Sequence, residues 1–288
     1  MTYESCDLCP RACGVNRAQG QLGFCRVPGR MRIAKTMLHR GEEPVLAGPG
    51  GSGAIFFSGC NLGCLYCQNE PISHGCQGRE TDSAGLRREM ESLIAQGAEN
   101  IDLVTPSHFL PDLLPALRPK LPVPVVYNCG GYERLETIRA LDGLVDIYLP
   151  DLKYALPGLA QQLSGAADYF PVAADAIREM VAQVGPCQLE NGKLRRGVLV
   201  RHLILPGQVE NSLRVLDFLG ETFPKGTILL SLMRQYTPMP RVQNLPPLNR
   251  TVTDDEYQAV LSWVYLNGLE GFTQEAQAAS TDMIPDFA

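Results

Sequence analysis

No apolar run in this chain reaches the ~18 residues that a membrane-spanning helix needs, so an integral helical membrane protein is not expected. The N-terminus, MTYESCDLCPRACGVN, has no apolar core and carries cysteines at once. It does not read as a secretory signal, and the expected location is the cytoplasm. Basic charge is short as well. The 25 Lys and Arg stand against 31 Asp and Glu, a net charge of −6, so no nucleic-acid partner is expected from global charge. The basic run KLRR at 193–196 reads as a solvated loop. Internal repeats, low-complexity segments and long linkers are missing. No G-x-G-x-x-G turn follows the first predicted strand, which argues against a dinucleotide-binding sheet.

Cysteine, in contrast, is plentiful: ten in 288 residues, seven of them within the first 67. In a reducing compartment they are better explained by metal or redox chemistry than by disulfides. The asymmetry divides the chain into a cysteine-rich N-terminal part and an ordinary α/β remainder.

That remainder alternates in type. Apolar runs at 54–59, 101–106, 124–129, 145–151, 198–205 and 227–232 read as strands buried on both faces. Helical spacing fills 82–98, 108–118, 133–141, 168–184 and 210–221. A further helix is predicted at 254–266, capped by Thr253 or Asp254. Six strand–helix units predict a parallel sheet, either doubly wound or an incomplete barrel. In both, ligands gather at the C-terminal strand ends.

At one such end lies SGCNLGCLYCQNEPIS, residues 58–73, where Cys60, Cys64 and Cys67 are spaced C-x3-C-x2-C. Three thiolates select a soft metal centre and leave one coordination position open. An open position marks a reactive site. The alternative is a closed zinc site that borrows His74 or Cys76 as its fourth ligand.

The motif C-x3-C-x-aromatic-C, with Tyr66 as the aromatic, resembles the signature of the radical S-adenosylmethionine (SAM) superfamily. Further phrases at residues 6–240 resemble the branch related to pyruvate formate-lyase activating enzymes. They are CDLCPRACGVNR, CLYCQNEPIS, NIDLVTPSHFLP, VDIYLPDLKY, VRHLILPG and SLMRQYTPM, and the resemblance is to a subgroup with an extra N-terminal four-cysteine motif. The resemblance implies an incomplete (β/α)6 TIM-like barrel and a [4Fe–4S] cluster on Cys60, Cys64 and Cys67, its open iron chelated by SAM. It implies reductive cleavage of SAM to a 5′-deoxyadenosyl radical, a low-potential electron donor of flavodoxin or ferredoxin type, and a protein substrate such as a glycyl radical enzyme.

Carried over residue by residue, the resemblance assigns Asp151 and Lys153, the D-x-K pattern after the fourth strand, to the neighbourhood of the cofactor carboxylate; a surface ion pair is the plain alternative. Tyr66 and Asn69 join the cofactor-binding set. Arg201 and His202 must point to opposite faces of the fifth strand. The resemblance favours His202 as the residue facing the cofactor, against a satisfied core histidine. Relatives carry a GGEP-like turn after the second strand, where this chain has TPSHF at 105–109. Thr105 and Ser107 are then the candidates for the cofactor ammonium, with Glu70 as a possible carboxylate. The stretches 206–211 and 231–235 stand where relatives contact ribose and adenine.

Cys6, Cys9, Cys13 and Cys25 form a complete set of four thiolates, C-x2-C-x3-C-x11-C, for zinc or an iron–sulfur cluster, unless they are unligated. Cys76, Cys129 and Cys187 remain, Cys129 reading as packing at the end of the third strand. His39 and His74 have no evident partner, and His108 begins the segment after the second strand. The domain reading is 1–45 as a metal-binding extension, 46–266 as the barrel and 267–288 as a tail. A radical enzyme that modifies a small molecule or peptide, and a non-catalytic metalloprotein, are the competing functions.

Overall fold

Strands apolar on both faces are stable only when both faces are covered. The computed structural model, which describes residues 1–273, shows what covers them. In chain order the elements are β1 (Arg32–His39), β2 (Ser52–Phe57), α1 (Glu70–Ser73), β3 (Arg79–Glu80), α2 (Ser83–Ala95), β4 (Ile101–Val104), α3 (Leu110–Ala116), β5 (Val125–Cys129) and α4 (Leu135–Ala140). They continue with β6 (Ile147–Pro150), α5 (Pro157–Ser164), α6 (Tyr169–Val184), β7 (Gln188–Glu190), β8 (Lys193–Leu203), α7 (Val209–Thr222), β9 (Ile228–Met233), α8 (Asp254–Leu266) and β10 (Gly271–Thr273).

The sheet order is β10-β9-β8-β6-β5-β4-β2-β1-β3. From β2 to β10 all neighbours are parallel, while β1 runs antiparallel to β2 and to β3. The six predicted strands are β2, β4, β5, β6, β8 and β9, each close to its predicted position. Among the described residues the sheet curls without closing, since β10 and β3 end the series as unjoined edges. It is the expected partial barrel, extended by β10 at one edge and by β1 and β3 at the other. Residues 274–288 of the predicted tail lie outside the described residues.

Side-chain alternation builds two cores. Tyr127, Tyr148, Val198 and Leu230 face outward and pack with helix residues such as Leu86, Met90, Ile177 and Leu219. Val126, Ile147, Leu149, Leu199 and Leu229 face inward, where Val45 and Leu46 close over them. The segment before β2 thus plugs the lower half of the barrel. It is pinned by Asn100 Nδ2 on the Leu46 carbonyl (2.9 Å) and by Leu194 N–H on the Val45 carbonyl (3.0 Å). Burying each of these two apolar side chains stabilises by about 1.5–3 kcal/mol.

The KLRR run is not a solvated loop. It opens β8, entered from β7 through Asn191 and Gly192, both at positive φ (52° and 74°), as a tight two-residue hairpin turn requires. Lys193 then donates to the Pro44 carbonyl and Arg196 to the Val184 carbonyl. At the other end of the chain, α8 begins with Thr253 in a reciprocal capping box with Glu256.

Candidate functional site

The three-cysteine loop leaves β2 through Gly59, whose φ of +84° admits no ordinary side chain without strain. A Cβ there would also lie 2.6 Å from the Cys25 carbonyl oxygen, so the loop and the N-terminal lobe touch backbone to backbone. Cys60, Cys64 and Cys67 border one cavity of about 130 Å³. Each sulfur has a polar neighbour: Cys60 accepts from the Leu62 N–H (3.4 Å), Cys64 from the Ser164 hydroxyl (3.1 Å), and Cys67 lies 3.2 Å from Ser73 Oγ. Donors of this kind stabilise thiolates bound to metal. Burial, then the sulfurs of Cys64 and Cys67, pushes the Cys60 thiol up to about 12. Three thiols crowded in a dry site are a poor structural feature by themselves, and a soft cationic centre would suit them.

The rest of the wall is polar. Asp151, Lys153, Arg201 and Asn128 border both this cavity and a larger one of about 420 Å³ that runs into the barrel. Lys153 Nζ donates to Asp151 Oδ2 at 2.6 Å and Arg201 Nε to Asp151 Oδ1 at 2.8 Å, while a terminal nitrogen of Arg201 reaches Asn128 Oδ1 at 2.6 Å. Burial works against ionised Asp151, yet Arg201 and Lys153 hold its carboxyl below the usual range. The Asp151–Lys153 pair is therefore a half-buried wall of the site and not an exposed surface ion pair.

His202 is elsewhere. It is fully buried, with Nδ1 2.6 Å from the Leu152 carbonyl and Nε2 2.8 Å from Ser212 Oγ, and it borders neither cavity. Burial depresses its pKa to about 4. Period-2 alternation held, but the residue that faces the cavity is Arg201 and the satisfied core histidine is His202.

Thr105 does border the smaller cavity, in left-handed backbone (φ +61°) that a β-branched residue rarely adopts. Strain of this kind persists where surrounding structure over-determines it, commonly at functional sites. Ser107 turns away: its hydroxyl donates to Glu133 at 2.6 Å, in a buried group with Tyr127 and Cys129. Burial raises Glu133 to about 7. Cys129 is buried at the cavity edge, within electrostatic reach of Glu133. Glu70 borders neither cavity.

Tyr66 and Asn69 both border the larger cavity, Tyr66 in edge contact with Tyr154 (6.4 Å). Ser231, Met233 and Gln235 also line it. From 206–211, Asn211 supports the site indirectly by holding the backbone of Lys153 and Ala155. His39 lies on the larger cavity; His74 bonds Ser73 Oγ (3.0 Å), and His108 Nε2 meets the Ser58 carbonyl (2.7 Å). Neither His74 nor Cys76 borders the cavity of the three cysteines, so neither stands as their fourth ligand. Cys187 packs between the carbonyls of Val198 and Thr227.

Sequence reasoning missed the floor. Glu42 and Glu43 rise from the plug into the larger cavity, Glu42 3.8 Å from an Arg201 nitrogen. Behind them Asp102 is fully buried, and burial, then Glu42, pushes its carboxyl well above the usual range. One of its oxygens accepts from Asn128 Nδ2 at 3.3 Å, and the other has no hydrogen-bond partner among the described residues. A lone Asp in the apolar strand IDLV was the available signal.

The N-terminal lobe clamps onto the barrel. Arg11 Nε donates to the Asn61 carbonyl (2.9 Å), Arg134 to Asp7 (2.6 Å) and Thr137 to the Leu8 carbonyl (2.6 Å). Cys6, Cys9 and Cys25 are buried, and Cys13 Sγ accepts from the Phe24 N–H at 3.3 Å. Burial pushes Cys9 up to about 12, with Cys25 and Cys13 adding to it, so these sulfurs lie within electrostatic reach of one another. Among the described residues, no three His, Cys, Asp or Glu side chains close on one point as the ligands of a single ion do.

No family model matches the chain. An uncharacterized protein of Methanocaldococcus jannaschii is 28% identical over 270 residues, 90% of this chain and 74% of that one. Three solved structures share the fold. A radical SAM methyltransferase from Sphaerobacter thermophilus has a TM-score of 0.55 at 13% identity, over 77% of this chain and 66% of the other. Spore photoproduct lyase (C140A mutant) gives 0.53 at 10%, over 84% and 79%. Streptococcus suis SuiB bound to precursor peptide SuiA gives 0.51 at 12%, over 76% of this chain. This chain spans 47% of the length of SuiB, about half. No helix among the described residues is long and apolar enough to cross a membrane. At such identities the likeness concerns architecture alone: the chain shares the fold of these structures, one of them a radical SAM methyltransferase.

Proposed function

We propose that this chain is a radical SAM enzyme, with a [4Fe–4S] cluster on Cys60, Cys64 and Cys67 and SAM in the adjoining cavity. One observation carries the reading: three cysteines of one short loop share a cavity with Asp151, Lys153 and Arg201. When bound, the cluster supplies one electron for cleaving SAM, and the resulting radical abstracts hydrogen. The chain's own part is to bind and orient. Arg201 and Lys153 offer cationic donors to the SAM carboxylate, Thr105 offers an acceptor to its ammonium, and the plug of Val45 and Leu46 keeps water out from below.

The target proposed first is a backbone glycine of a glycyl radical enzyme, as in pyruvate formate-lyase activation, with a low-potential flavodoxin or ferredoxin as donor in the cytoplasm. Support comes from the sequence resemblance and from an unclosed barrel edge. A small molecule or peptide is the second reading, favoured by the polar floor of Glu42, Glu43 and Ser231 in a cavity closed below.

Cys6, Cys9, Cys13 and Cys25 are proposed to hold a second metal centre, zinc or an iron–sulfur cluster, for which four thiolates are a complete ligand set.

Anaerobic reconstitution, then dithionite and SAM, tests the enzyme reading: 5′-deoxyadenosine is expected, and its absence would favour a non-catalytic metalloprotein. Addition of a candidate glycyl radical enzyme should give a glycyl radical signal; stimulation by small molecules or peptides alone would select the second reading.

A further inference from the structure

Arg17 is fully buried in the N-terminal lobe. Its Nε donates to the Val27 carbonyl at 3.0 Å, and its terminal nitrogens donate to the carbonyls of His108 (2.6 Å) and Pro28 (2.9 Å). The nitrogen that reaches His108 also lies 3.7 Å from Cys6 Sγ. The rings of Tyr3 and Phe109 stand 5.0 and 5.6 Å from the guanidinium carbon. Among the described residues no carboxylate pairs with it. Asp112, the acid that senses its charge, accepts its hydrogen bond from Tyr3 Oη at 2.7 Å.

Hydrogen-bonding need is thus met, but charge is not. Arginine does not shed its proton, and carbonyl dipoles and ring faces carry only partial charge. A buried full charge without a counter-charge is strongly unfavourable. Something anionic belongs within reach of this guanidinium, and the side chain it meets is a cysteine of the four-cysteine set.

We propose that Arg17 is the counter-ion of an anionic metal–thiolate centre formed by Cys6, Cys9, Cys13 and Cys25; this rests on the second-centre reading above. Four thiolates outweigh a divalent zinc ion and equally the cationic core of a cube, so the filled centre is negative. The emptied one, with neutral thiols, is not. Arg17 also couples the two cysteine sets. Its acceptor His108 contacts the Ser58 carbonyl at 2.7 Å, two residues ahead of Cys60. It is a positioning residue: it acts through the thiolates and touches no substrate.

C64A protein, prepared without oxygen, leaves the N-terminal metal to be counted alone as iron and zinc per chain. Two further changes in that background separate charge from hydrogen bonding: R17K keeps the cation without the fork, and R17Q keeps donors without the cation. Metal loss to excess chelator should accelerate about 10- to 100-fold in C64A/R17Q, the usual range when a partner of a metal ligand is lost, and far less in C64A/R17K. Melting gives a second readout. R17Q should melt lower than its parent when metal is bound and no lower once metal is stripped. Equal metal retention in both variants, or R17Q melting lower in both states, overturns the role of Arg17 while the centre stands. C64A without bound metal overturns the second-centre reading and this inference with it.

Discussion

Arg201 Nε donates to Asp151 Oδ1 at 2.8 Å, joining two strand ends that the sheet sets side by side, since β6 and β8 are neighbours. That contact, extended to Lys153, makes a cationic edge facing the three cysteines. His202, one residue on, is committed to the outer core. Arg201→Lys, which keeps charge but loses the planar fork, should weaken SAM binding about tenfold or more by titration calorimetry. His202→Gln should leave that affinity within about threefold while lowering unfolding free energy by about 1–3 kcal/mol, through unpaired buried groups. The opposite pattern would return the cofactor-facing role to His202.

Cysteine substitutions should separate the two metal sets. Cys64→Ala is expected to abolish 5′-deoxyadenosine formation and to leave the N-terminal metal in place. Cys9→Ala should keep some SAM cleavage. Wild type should carry about four irons at the first centre together with about one zinc or about four further irons at the second, and each variant should lack one of the two. Equal loss of cleavage in both would mean that the N-terminal centre takes part in the chemistry or the folding.

Glu133 predicts a pH dependence of stability. Its carboxyl titrates near 7 in the folded chain against 4.5 for the free group. The stabilisation from holding its proton is complete below 4.5 and is lost as pH rises through 7. Glu133→Gln cannot ionise, so relative to wild type it should gain about 3 kcal/mol between pH 4.5 and 7. Urea unfolding across that range measures the difference, and parallel curves would show that Glu133 titrates normally.

The floor acids make a further test. Asp102→Asn keeps a neutral side chain of the same size with an acceptor for Asn128 and should change stability by no more than about 1 kcal/mol. Asp102→Ala leaves Asn128 short of a partner and opens space, and should cost about 2–3 kcal/mol. Equal effects in denaturant titrations would mean that the contact with Asn128 carries no stability.

Much of the architecture was legible because its signals are local. Apolar runs marked the six parallel strands, and Thr253 with Glu256 marked the start of α8. The strands that were missed take their stability from neighbours and not from their own pattern: β3 and β10 end the sheet, short β7 pairs with β8, and β1 runs antiparallel between β2 and β3; the short helices α1 and α5 were missed as well. The KLRR run was misread because its charges snorkel to backbone carbonyls from a strand.

What the sequence determined by itself was the donor set: three thiols on one short loop after a strand, four more near the N-terminus, and an aspartate and lysine two residues apart. Those follow from covalent spacing and period-2 geometry, which no later packing can change. Which of Arg201 and His202 meets the cavity, that Glu42 and Glu43 rise from a plug far along the chain, and that Arg17 is sealed beside Cys6 were decided only in three dimensions. Each depends on which face of a strand turns inward and on which distant segment covers it, and burial of charge is a property of neighbours, not of order in the chain.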